Sequence, residues 1–124
     1  MKLRNEYTCP LELTHDMMRG KWKSIILWRL RLGPTSLSHL QQDITGITQK
    51  MLLEQLRELM EFGLVEKEIS SGYPLHVAYF LTEIRGKRML DALKIMQEVG
   101  IDFMLKNGME QVLQEKGVLP KPPQ

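Results

Sequence analysis

Between Gly46 and Gly63 the chain reads Gly-Ile-Thr-Gln-Lys-Met-Leu-Leu-Glu-Gln-Leu-Arg-Glu-Leu-Met-Glu-Phe-Gly, and its polar residues are of the types that meet a nucleic acid. Gln49 offers a paired donor and acceptor that match an adenine edge, and Lys50 suits a guanine or a phosphate. Leu53 matches a thymine methyl, and Arg57, one turn on, has the reach for the sugar–phosphate backbone. Thr48 can cap a helix by accepting from a first-turn amide, and from there its hydroxyl can meet a phosphate. These residues become a surface only if something arranges them. The apolar residues Met51, Leu52, Leu56, Leu59 and Met60 recur at helical spacing. At about 100° per residue they share one side, leaving Gln49, Lys50, Leu53, Glu54 and Arg57 mostly on the other. On that outer face amide, ammonium and guanidinium groups lead, and Glu58 and Glu61 follow only towards the end. An ordinary amphipathic core helix with a solvated face is the competing reading, and the flanking segments decide between them.

Those segments follow a definite order. Cys9-Pro10 opens a short helix, with Pro10 in the first turn, where its missing amide hydrogen is not needed; Leu11, Leu13, Met17 and Met18 form its apolar side and Gly20 ends it. Residues 1–8 read as a polar arm. Lys21–Leu32 is a strong helix stopped by Gly33-Pro34, and Trp22, Ile25, Ile26, Trp28 and Leu32 place it at the centre of the core. Ser36 caps a brief helix through Leu37, Leu40 and Ile44. The connection Asp43–Ile47 is short and contains Gly46, as a helix-turn-helix requires. After Gly63 the period changes to two. Leu64–Ile69, a turn over Ser70–Pro74, and His76–Leu81 predict a two-stranded hairpin. Thr82 and Glu83 then cap a long helix through Met89, Leu90, Leu93, Met96 and Val99. Gly100 is expected to break or bend it, with the apolar pattern resuming from Ile101 to Leu113. Residues 117–124, with three prolines, read as a flexible tail. The chain is expected to be one domain, mainly α with a small β-hairpin.

Composition bounds the function. At 124 residues, 43% hydrophobic and 26% charged, the chain suffices for one domain with a moderate core. A net charge of +2 does not announce a nucleic-acid binder, so the case rests on where charge lies. From Met17 to Gln42 there are five basic residues (Arg19, Lys21, Lys23, Arg29, Arg31) and no Asp or Glu. No apolar run could span a bilayer and the charged start lacks a signal-peptide core, which predicts a cytoplasmic protein without a membrane partner. A single cysteine excludes an intrachain disulfide framework. His15, His39 and His76 are scattered, no Cys/His spacing suggests a metal, and neither a phosphate-cradling glycine loop nor a triad signature is present. No cofactor and no enzymatic activity are expected.

Cys9-Pro10, Gly20-Lys21-Trp22, Gly33-Pro34, Gly46-Ile47-Thr48-Gln49-Lys50-Met51-Leu52 and Gln55-Leu56-Arg57-Glu58-Leu59 together resemble the HxlR-type, MarR-like transcriptional regulators. The resemblance covers roughly residues 7–100. It implies a winged helix-turn-helix with flanking N- and C-terminal dimerisation helices, binding double-stranded DNA as a homodimer. The two recognition helices would enter successive major grooves of a pseudo-palindromic operator, most often to repress. Several relatives use a cysteine in a Cys-Pro context to sense oxidants or electrophiles. The chain departs from the family at Leu37-Ser38, where an aromatic or arginine is frequent, and in a short wing, Ser71-Gly72-Tyr73-Pro74, that lacks an arginine.

The expected DNA contacts are therefore Thr48, Gln49, Lys50, Leu53 and Arg57 on the recognition helix, with Ser36 and Ser38 as phosphate donors. Lys21 and Lys23 would anchor phosphate near a helix N-terminus, and Lys67, Tyr73 and His76 would act from the wing. For Cys9 a redox-sensing role, with its thiolate favoured by the helix start and by Arg4, stands beside that of a small buried packing residue. A small-molecule effector, in a pocket between the winged helix and the dimerisation helices, is a further expectation. The rival function class is a winged helix used for protein–protein assembly without specific DNA binding.

Overall fold

The computed structural model describes residues 3–118; most of the expected tail, and the first two residues of the arm, lie outside them. The chain divides into two compact units, Met1–Leu90 and Asp91–Gln124.

In the first unit α1 (Pro10–Met17) begins at its proline, as expected. The arm before it is tied down: the Arg4 guanidinium pairs with Glu12 at 2.6 Å and Asp16 at 3.0 Å, and the Thr8 hydroxyl donates to Glu12 at 2.6 Å. Next, α2 (Trp22–Arg29) runs into a 3₁₀ turn, Leu30–Leu32, closed by Gly33. Gly33 sits at φ +111°, a conformation that a β-carbon disfavours. The buried stripe of α2 is Lys23, Ile26, Leu27 and Leu30, while Ile25 and Leu32 are exposed. The helix is thus central to the core through one side only.

β1 (Thr35–Ser36) pairs with the hairpin, an element too short to leave a period in the sequence. α3 (Leu37–Asp43) is capped by Ser36, whose hydroxyl accepts from the His39 amide at 3.3 Å. The Thr45–Thr48 connection leads to α4 (Gln49–Glu61), capped by Thr48 through the Met51 amide at 3.1 Å. Leu52, Leu56 and Leu59 on α4 are wholly buried, worth on the order of 2 kcal/mol each in transfer free energy. Gly63, at φ +73°, then turns the chain into β2 (Val65–Ser70). β3 (His76–Leu81) returns antiparallel, in register from Val65↔Leu81 to Ser70↔His76. The sheet is three-stranded, in the order β1-β3-β2, where the sequence suggested two strands.

The hairpin is tied to the helices at its base. Thr82 Oγ1 donates to the Gly63 carbonyl at 2.7 Å and accepts from the Gly86 amide at 2.7 Å. Arg85 donates to the Phe62 carbonyl at 2.8 Å. Together they join the end of α4, the sheet and the start of α5 (Arg85–Lys106).

In the second unit α5 continues without a break through Gly100, contrary to expectation. A mid-helix glycine costs only about 1 kcal/mol, which the helical hydrogen bonds on either side can absorb. The chain turns instead at Gly108, and α6 (Glu110–Glu115) follows. Leu93 and Leu113 are buried, whereas Ile95, Met96, Val99 and Phe103 are each more than 60% exposed.

Candidate nucleic-acid interface

The leading end of α4 is open. Thr48, Gln49 and Lys50 are exposed, and neither the Gln49 nor the Lys50 side chain bonds to any other described residue. The first turn of α4 carries no carboxylate. Acidic residues usually occupy that position because the unpaired amides make it electropositive. Here Lys50 adds to the positive potential, and the turn is suited to an external anion such as a phosphate. Leu53 is 43% exposed beside them. Arg57 is exposed one turn further on and holds an ion pair with Glu61 at 2.9 Å. That pair lies in solvent, so it is weak and easily exchanged for a phosphate.

The five cations of the acid-free stretch do not form a surface. Arg19 pairs with Asp16, and Arg29 with Asp43 at 2.7 Å. The Lys21 ammonium lies over the Trp22 ring at 4.5 Å and the Arg31 guanidinium over Trp28 at 4.6 Å. Lys21 stays exposed and keeps its place among the phosphate candidates. Lys23 loses it. Its side chain is 3% exposed, forms an ion pair with Glu58 on α4, and donates to Gln55 Oε1 at 2.8 Å. Glu58, placed on the solvated face by the sequence reading, is on the buried side for the same reason. Burial raises the Glu58 carboxyl, but hydrogen bonds and positive charge beside it, those of Lys23 foremost, together outweigh burial and hold the group below the usual glutamate range. The signal was present in the sequence: Lys23, Ile26, Leu27 and Leu30 follow the i, i+3, i+4, i+7 spacing of one buried stripe.

Ser36 and Ser38 share a hydrogen bond at 3.2 Å at the start of α3. Ser36 also pairs across the sheet with Ala78, so the start of α3 and the wing belong to one sheet. In the wing Tyr73 is fully exposed at the tip, Lys67 is exposed on β2, and His76 is exposed at the base of the turn. The Ser70 hydroxyl closes that base through the His76 backbone at 3.2 and 3.3 Å. From Ser70 to Leu75 the wing has no charged side chain.

Cys9 is exposed on this chain, which overturns its reading as a buried packing residue. Arg4, expected to favour its thiolate, is committed to Glu12 and Asp16. Between α1, the end of α4 and the start of α5 lies a cavity of about 450 Å³, lined by Leu13, Met17, Phe62, Leu64, Arg85 and Met89 among others. Among the described residues no group of His, Cys, Asp and Glu is placed to hold a metal, and no helix is long and apolar enough to cross a membrane.

Known proteins are similar to this chain in sequence and fold. The sequence model of the HxlR-like helix-turn-helix family matches residues 17–108, a span that leaves out Cys9. An HTH-type transcriptional regulator of Methanothermobacter thermautotrophicus is 38% identical over 96 residues, covering 77% of this chain and 72% of the relative. Among solved structures, the redox regulator HypR in its reduced form is similar, with a TM-score of 0.71 and 35% identity over 76% of this chain and 92% of that one. So is the reduced form of the transcriptional regulator YodB from B. subtilis, with a TM-score of 0.67 and 31% identity over 74% of this chain and 90% of that one.

Proposed function

The chain belongs to the HxlR-like helix-turn-helix family of transcriptional regulators, and from that premise we propose that it binds a pseudo-palindromic operator as a homodimer, most often to repress. The observation that carries this reading is the open first turn of α4. Thr48, Gln49 and Lys50 stand exposed at an electropositive helix end that holds no carboxylate. In this reading α4 enters the major groove, with Gln49 and Lys50 on base edges, Leu53 against a thymine methyl and Arg57 on the backbone. Ser36, Ser38, Lys21 and Lys67 meet phosphates, while Tyr73 and His76 act from the wing. Lys23 takes no part. Operator binding places the protein with the chromosome, in the cytoplasm. Selection of bound sequences from a random DNA pool tests the reading. A recovered inverted repeat supports it; recovery of no preferred sequence sends the fold to the competing role in protein–protein assembly.

The second copy is held by α1 and by the apolar positions Ile95, Met96, Val99 and Phe103, which a lone chain leaves in water. Two such faces brought together bury what neither covers by itself.

The signal is sensed at Cys9, on the strength of its exposure and of the likeness to the redox regulator HypR. With one cysteine per chain, a two-electron oxidant joins the thiols of two protomers, or a thiol with a small thiol, taking up two electrons and two protons as the S–S bond forms. An electrophile instead forms an adduct on the thiolate. The cavity beside α1 favours a second input, a small apolar effector against Met17, Phe62 and Met89. Cys9→Ser separates the two, because it abolishes oxidant-dependent release of DNA and leaves any ligand response intact.

A further inference from the structure

The fold buries a charged contact that neither DNA binding nor dimerisation uses. Lys23 on α2 meets Glu58 on α4, and its ammonium also donates to Gln55 Oε1 at 2.8 Å. Gln55 and Glu58, three positions apart, lie on one side of α4, next to the stripe of Leu52, Leu56 and Leu59. Stability alone does not call for such a pair. Replacing a buried ion pair by apolar side chains of similar volume is often neutral or stabilising.

We infer that Lys23, through Gln55 and Glu58, fixes the rotation of α4 about its own axis, and so sets which side chains the exposed face presents. Apolar contacts are non-directional, and the three leucines hold α4 against the core without specifying its rotation finely. Hydrogen bonds and ion pairs are limited in both length and angle. α2 is a firm reference for them. Ile26 and Leu27 are wholly buried, Leu30 is 2% exposed, and Arg29 binds Asp43 on α3 through two nitrogens at 2.7 and 2.8 Å. Side-chain tips stand about 6 Å from a helix axis, so a rotation of about 20° moves them by roughly 2 Å. A bidentate contact to a base edge works within a window of about 0.5 Å. A small slip therefore leaves phosphate contacts, which long side chains can re-aim, and removes base contacts. Lys23, Gln55 and Glu58 are positioning residues: none of them touches DNA.

The inference rests on α4 being the DNA-reading helix, and the test has an arm that does not. The Lys23→Met/Glu58→Met double variant keeps the volume of the site and removes both charges together. Its crystal structure without DNA should show α4 rotated, or in more than one rotation, relative to the parent. With DNA, the ratio of affinity for the selected operator over unrelated DNA should fall by about tenfold, with the salt dependence of binding unchanged. An α4 that superposes within about 0.5 Å, or an unaltered ratio, overturns the inference. If the parent shows no sequence preference, the DNA-reading assignment fails while the structural arm still decides the rotation. Should the double variant not fold, Gln55→Met removes only the hydrogen bond. It should lower the ratio about threefold, and an unchanged ratio with that variant likewise overturns the inference.

Discussion

The ammonium of Lys23 on α2 is buried against the carboxylate of Glu58 on α4, although by its neighbours in the sequence Lys23 belongs to the most basic stretch of the chain. Lys23→Ala leaves the Glu58 charge buried without that cation. It should destabilise the fold by about 1–3 kcal/mol in urea unfolding. Lys21→Ala, at an exposed position, should stay within about 0.5 kcal/mol. Equal effects at the two positions would remove the distinction.

The same carboxylate makes stability depend on acid. Burial raises Glu58, but Lys23 and the other positive charge beside the carboxylate together lower it more, so its folded value lies below the unfolded one. Asp16 behaves alike, with burial outweighed by hydrogen bonds from Tyr7, Arg4 and Arg19. A carboxylate lowered on folding contributes stability above its unfolded value, and that contribution is lost as pH falls through the folded one. The thermal midpoint should be nearly flat from pH 7 to about 5 and decline below about pH 4. In Lys23→Met/Glu58→Met the decline should be shallower. A decline as steep as the parent's would take Glu58 out of the acid response.

Gly86 sits where α5 crosses the base of the hairpin. A β-carbon there would come within 2.3 Å of the Leu64 carbonyl oxygen and 2.9 Å of Thr82 Oγ1. Backbone cannot yield as a flexible side chain does, so Gly86→Ala should cost about 1–3 kcal/mol despite its gain in helix propensity. Gly100→Ala, where added atoms meet open space, should be neutral or stabilise by up to about 1 kcal/mol. Thermal unfolding of the two variants gives opposite signs if the crowding at Gly86 is real.

The exposed apolar positions of α5 carry the expectation of a second copy. Val99→Asp/Phe103→Asp should convert a dimer to a folded monomer in light scattering at micromolar concentration, with helical circular dichroism retained. A parent that is already monodisperse as a monomer at that concentration refutes the dimer.

The first four helices, the caps at Ser36 and Thr48, and the hairpin were legible because each has a local cause. Thr48 and Ser36 cap through their own hydroxyls, and the two-residue period of His76–Leu81 survives in the sheet. What was not legible depends on partners distant in the chain. β1 is two residues long and exists only because Tyr79 and Ala78 lie opposite it. Glu58 reads as solvent-facing until Lys23 is placed beside it. Arg29, counted in the acid-free basic stretch, is claimed by Asp43 on α3. The open end of α4 was read correctly as a surface, since exposure on a helix follows from spacing alone. The base that each residue meets does not.

The central claim is that the leading end of α4 binds DNA. Affinity for the selected operator, measured against salt for the parent and for Lys50→Ala/Arg57→Ala, tests it most directly. The parent should lose about tenfold or more in affinity from 50 to 200 mM salt, and the double variant, equally folded, should bind more weakly with a slope smaller by about 1, from the phosphate contact of Arg57. A folded double variant that binds with the parent's affinity and slope would contradict the claim.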